Sequence, residues 1–95
     1  GTTQSTATVL VSGVNEVTTV AVGADGVQLP SAVAGRYAYI YNADGADSLK
    51  VWPATGDNAG AGVDLNISVS FGQMIVCHAV DATTWYCFSA ARKTS

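Results

Sequence analysis

LPSAVAGRYAYIYNADGADSLKVWPATGD, residues 29–57, is the stretch that decides the fold. Its centre alternates with a period of two. Tyr37, Tyr39 and Tyr41 fall on one face, and Ala38 and Ile40 on the other. Residues 48–52 repeat the pattern, with Leu49 and Val51 opposed to Lys50 and Trp52. Between them, Ala43-Asp44-Gly45-Ala46-Asp47 is a run of turn formers that predicts a hairpin loop. Pro30 has no N–H to give to a ladder, so the strand before it stops or lies on an edge. Nothing in the stretch brings a nucleophile, a base and an orienting acid together, so it reads as a building or binding surface.

The same reading extends outward in both directions. Residues 1–8 are polar without core periodicity and predict an extended N-terminal arm. Residues 8–11 form a short strand, Ser12-Gly13-Val14-Asn15 a turn, and residues 16–22 a second strand. A glycine-bearing loop, residues 23–26, leads to Val27-Gln28-Leu29. Beyond the central stretch, PATGDNAGAG (residues 53–62) is a long loop with little bulk. Residues 63–71 resume as strand, and residues 74–80 and 84–88 form a hairpin around Asp81-Ala82-Thr83. Residues 9–88 make the single domain, and residues 89–95 a polar tail with late positive charge. Seven or eight short strands at this spacing predict an all-β fold, a compact antiparallel β-sandwich or barrel.

Composition agrees. Val, Thr and Ile supply 26 of the 95 residues, whereas Glu, Gln, Lys, Arg, Leu and Met together supply 13. β-branched side chains suit a pleated, half-buried surface, and good helix formers are scarce. Only 12% of residues are charged, against 48% apolar. That fraction is about half the usual charge content, so much of the surface is expected to be covered in an assembly. The net charge is −3, and only Arg92 and Lys93 are adjacent cations. A phosphate-tracking surface needs clustered cations, so nucleic acid is not an expected partner. No apolar run approaches a transmembrane span, and the start lacks the charged-then-apolar pattern of a secretory leader, so membrane is not expected either. Asn66-Ile67-Ser68 fits a glycosylation sequon, a short pattern of little specificity.

Few residues invite chemistry. With Asp81-Ala82-Thr83 as the loop, residues equidistant from Ala82 face one another. Cys77 then lies opposite Cys87, beside the His78–Tyr86 and Ala79–Trp85 pairs. The cysteines are either a cross-strand disulfide or two reduced thiols acting as small apolar residues; with no secretory context, reduced thiols are expected. Two thiols and one histidine do not complete a zinc site. Asn42-x-Asp44-Gly45-x-Asp47 has oxygen ligands at suggestive spacing but lacks the full loop and terminal Glu of an EF-hand, so turn chemistry is expected and no metal. No cofactor is expected. His78, the only histidine, lacks a partner set for general-base work and reads as a packed or interface residue. Tyr37, Tyr39, Tyr41 and Trp52 are the candidate partner-binding residues, since aromatics dominate binding hot spots. Thr2, Thr3, Gln4 and Ser5 of the arm are candidates for pairing with a neighbouring sheet edge.

The order Leu29-Pro30-x-Ala32-x-x-Gly35, then Tyr41-Asn42 before a turn, then Leu49-Lys50-Val51-Trp52-Pro53-Ala54-x-Gly56-Asp57, resembles a small β-domain of tailed-phage virion structural proteins. A small-residue loop and a late Trp, here Trp85, complete the likeness, which spans roughly residues 14–88. The resemblance implies a non-enzymatic virion role and carries over no catalytic residues. It implies a capsid decoration (cement) protein or a fibre module, usually trimeric or otherwise multimeric. The expected partners are further copies of the chain and a major capsid or other virion protein, with assembly in the cytoplasm of a bacterial host. With no second domain in view, a decoration protein is expected over a fibre. The competing expectation is a carbohydrate- or receptor-binding module of a tail fibre or spike, with the three tyrosines and Trp52 as a stacking platform.

Overall fold

The computed structural model describes residues 3–17, 26–44 and 47–89. It is all-β, with eight short strands: β1 (Thr8–Val9), β2 (Gly13–Val17), β3 (Gly26–Gln28), β4 (Tyr37–Asn42), β5 (Leu49–Trp52), β6 (Ile67–Val69), β7 (Met74–Ala79) and β8 (Trp85–Ser89). They form two four-stranded sheets, ordered β1-β3-β5-β6 and β2-β4-β7-β8.

The sheets are mixed, which corrects the expectation of purely antiparallel pairing. β1–β3, β3–β5 and β2–β4 pair in parallel, while β4–β7, β5–β6 and β7–β8 are antiparallel. The cause is how the chain winds. From β1 to β5 each connection crosses from one sheet to the other, so successive strands of one sheet run the same way. The expected β4–β5 hairpin therefore does not form: β4 and β5 belong to different sheets. Asp44 N–H donates to Asn42 Oδ1 (3.1 Å), and Asp47 N–H to Asp44 Oδ2 (2.8 Å). The suggestive oxygen spacing of this segment is thus turn chemistry.

Elsewhere the strand limits shift. β2 begins at Gly13, inside the segment expected to turn, and residues 18–25 lie outside the described residues. The Asn15 side chain makes the reversal instead. Its amide donates to Val11 O (3.0 Å) and accepts from Val11 N–H (3.3 Å). The expected strand over residues 63–71 shrinks to β6, with one bridge between Asn58 and Val63. Asp64 sits there at φ 61°, a left-handed conformation that breaks the run.

The N-terminal segment also differs from an extended arm. Residues 3–7 curl, with Thr6 and Ala7 N–H both donating to Thr3 O. Gln4 Nε2 clips the turn to Pro53 O (2.8 Å) and Asp64 Oδ1 (3.0 Å), and Ala7 is buried. Gln4, with the N–H of Gly56, holds the Asp64 carboxyl below its ordinary range.

The core lies between the sheets. β4 and β7 alternate cleanly, burying Ala38, Ile40, Asn42, Ile75, Cys77 and Ala79. Across from them, Val27, Leu49, Val51 and Val69 close the core, with Leu29 and Trp85 wholly buried. Gly26 is required by close approach: a Cβ there would stand 2.7 Å from Lys50 O and 3.3 Å from the Trp52 ring. No described helix is long and apolar enough to cross a membrane.

The β7–β8 hairpin has the expected register, Cys77 opposite Cys87, His78 opposite Tyr86 and Ala79 opposite Trp85. Asp81 sets it. Its carboxylate accepts from Thr83 N–H (2.8 Å) and Thr83 Oγ1 (3.2 Å). The backbone bond from Thr83 is the largest cause holding the Asp81 carboxyl below its ordinary range. A depressed folded value means the contribution is present above the unfolded range and lost as pH falls through the folded one. The wild type's stability advantage over Asp81→Ala, measured by urea melts, is expected to shrink from neutral to strongly acid pH. An advantage unchanged by pH would sink this account.

Candidate functional site

The four strands of the β2-β4-β7-β8 sheet build one outward face. On β4 it carries Tyr37, Tyr39 and Tyr41, because Ala38, Ile40 and Asn42 take the inward positions. Antiparallel pairing sets His78, Val76 and Met74 of β7 opposite these tyrosines in turn. β8 then adds Tyr86 beside His78 and Phe88 beside Val76. On the other flank, Val14 of β2 stands opposite Tyr39, and Glu16 is in register with Tyr41. The result is a grid of aromatic and aliphatic side chains on a rigid sheet.

Much of this grid is open to solvent. Val14 is 72% exposed, Phe88 61%, Tyr86 55% and Tyr37 46%. The rings of Tyr37 and Tyr39 sit 5.5 Å apart and inclined at 60°, and Tyr37 lies 6.4 Å from the His78 ring. No Lys, Arg, Asp or Glu is among the described side chains of the face. Scattered exposed apolar residues are ordinary, but a contiguous aromatic patch marks an interaction surface.

The tyrosine ladder is therefore on the surface, and two strands of the hairpin region enlarge it. Trp52 does not belong to it. β5 lies in the other sheet, so Trp52 faces outward there, beside Gln28 and Gly26. Of the arm candidates, Thr2 lies outside the described residues, Thr3 and Ser5 are exposed, and Gln4 is engaged within its own domain. Tyr86 and Phe88 were missing from the sequence-level candidates. The alternation of β8 was a usable signal for them, but only the β4–β7 pairing joins them to the tyrosines.

His78 points outward whereas its neighbour Cys77 is buried on the inner side, so they do not form a base–nucleophile couple. Among the described residues, no three His, Cys, Asp or Glu side chains gather as a metal site. Cys77 and Cys87 are free thiols.

The residues of the Leu-Pro-x-Ala, Tyr-Asn and Gly-Asp motifs are architectural. Asp57 is buried, and its Oδ2 accepts from Ala32 N–H (2.9 Å), tying the Gly-Asp exit to the Leu-Pro-x-Ala segment. Gly56 supplies φ 88° for the turn in which Asp57 N–H donates to Ala54 O. Asn42 spans the two sheets: Nδ2 donates to Asp47 O (2.8 Å) and Val69 O (3.0 Å). Trp85 fills the core, and its backbone N–H reaches Asn58 O (2.8 Å).

Comparison with family models, curated proteins and solved structures finds no match to this chain.

Proposed function

We propose that this chain is a non-enzymatic structural protein of a tailed-phage virion, a decoration or cement protein that stabilises the shell through contacts of its aromatic sheet face. The observation that carries the reading is the contiguous, aromatic-rich face formed by Tyr37, Tyr39, His78, Val76, Tyr86 and Phe88. Side chains fixed on paired strands lose little conformational freedom on binding, so the face is organised in advance for a flat protein partner. Further copies of the chain, as a trimer, and a shell protein are the proposed partners. Repetition over a lattice multiplies modest contacts into firm attachment. The motif likeness supplies the virion context.

The glycan-platform alternative has less geometry behind it. Stacking on a sugar needs rings that present a common plane. Tyr37 and Tyr39 are inclined at 60°, and Trp52 is on the opposite sheet.

The double variant Tyr86→Glu/Phe88→Glu tests the proposal. Both side chains are more than half exposed, so the fold is expected to survive, as circular dichroism and thermal melts would register. Hot-spot losses of about 2 kcal/mol each predict self-association or shell binding weakened by roughly 100-fold or more. Sedimentation and occupancy on shells measure it. Unaltered association of the folded variant would overturn the reading. A monomeric wild type whose glycan binding is abolished by the same changes would replace it with the alternative.

A further inference from the structure

The inner side of β8 carries a feature that rests on strand register alone and is independent of the virion reading. Cys77 and Cys87 are directly opposed. Hydrogen bonds on neighbouring residues define what kind of pair they form. Ala79 N–H donates to Arg36 O (2.8 Å), and Ala79 O accepts from Gly35 N–H (2.9 Å), so Ala79 bonds on the β4 side. Val80 N–H donates instead to Thr84 O (3.0 Å), on the β8 side. These directions alternate along a strand, so Cys77, two residues before Ala79, also bonds on the β4 side. Cys77 and Cys87 are then a non-hydrogen-bonded pair, the kind whose Cα atoms approach to about 4.5 Å. Disulfides span Cα separations of roughly 4.4–6.8 Å, so the bond can form without moving either strand far.

The two thiols differ in access. Cys77 is buried, and Cys87 is half-buried. Two cavities of about 260 and 350 Å³ open where Ala59 and Gly60 pass β8, and Cys87 lines both. A hydrogen bond with Cys87, then burial, raises the pKa of the Cys77 thiol, so Cys77 is the less reactive of the two toward an external reagent.

We propose that Cys87 and Cys77 are an attacking and resolving thiol pair that closes into a cross-strand disulfide by exchange with a small-molecule disulfide. The Cys87 thiolate attacks one sulfur of the reagent, the reagent's S–S bond breaks, and one small thiolate leaves and takes up a proton. Cys77 then releases its proton to solvent and attacks Cys87 Sγ, expelling the second small thiolate. The protein loses two electrons and two protons, and the small disulfide is reduced to two thiols. The new bond staples the edge strand β8 to β7 between Tyr86 and Phe88, whose side chains point to the other face.

The test uses the native full chain with hydroxyethyl disulfide, followed by intact mass, peptide mapping and thermal melts. Wild type is expected to lose two hydrogens and both free thiols, retain no adduct, and melt at least about 5 °C higher. Cys77→Ser is expected to stop at a stable mixed disulfide on Cys87, and Cys87→Ser to remain unmodified while folded. If Cys77→Ser does not fold, mapping of the wild-type product decides the matter. Wild type that ends as a persistent adduct, links between chains, or reacts only when unfolded in urea overturns the proposal.

Discussion

Asn42→Ala is expected to lower the unfolding free energy by about 3–5 kcal/mol. The side chain is wholly buried and uses all its described hydrogen-bonding groups productively. Its amide nitrogen donates to the carbonyls of Asp47 and Val69, and its oxygen accepts from Asp44 N–H. Two carbonyls on one side and an N–H on the other also settle which way the amide points. Alanine takes one hydrogen-bond partner from each of three backbone groups, and Val69 lies buried in the opposite sheet, where water is least able to replace it. Asn42→Asp is expected to cost more, since it removes both donors and faces two carbonyl oxygens with a carboxylate. A chain of this length holds roughly 5–14 kcal/mol in total, so Asn42→Ala should remove a large share of it and lower the midpoint of a urea melt by at least about 1 M. A variant within about 1 kcal/mol of wild type would refute the bridging role.

Trp85→Ala is expected to be as severe, about 3–5 kcal/mol, for a different reason. Trp85 is wholly buried in a core shared with Leu29, Ile40, Leu49 and Val51, and its indole is the largest side chain there. A close-packed core relaxes only in part around the space left by an indole, so a cavity remains. The indole N–H has no protein acceptor within reach among the described residues. The ring therefore acts by volume, and Trp85→Phe is expected to retain most of the stability. Denaturant titration of the two variants separates the effects. If phenylalanine costs as much as alanine, volume is not what Trp85 supplies.

These two positions show what could be read in advance and what could not. Alternation in Tyr37–Asn42 and Met74–Ala79 is visible in the letters, because a strand puts neighbours on opposite faces regardless of its partner. The β7–β8 register is visible for a similar reason: a short loop capped by Asp81 constrains both strands at once. The long-range role of Asn42 is not. An asparagine before a turn looks like local turn chemistry, and indeed it accepts from Asp44 N–H. That its other end reaches Val69 depends on a sheet crossing no local pattern encodes.

The candidate site divides the same way. The sequence alone determined that this is an all-β chain, that Tyr37, Tyr39 and Tyr41 share a face, and that Cys77 meets Cys87, since each follows from period-two geometry or a tight turn. Only the tertiary structure decided that β4 pairs with β7 rather than β5. A short connection between amphipathic strands can join neighbours in one sheet or strands of two facing sheets, and burial of both inner faces across the sandwich selects the second. That choice moves Trp52 to the far sheet and brings His78, Tyr86 and Phe88 beside the tyrosines. The aromatic surface is thus a product of strand pairing between distant segments, which local periodicity cannot specify.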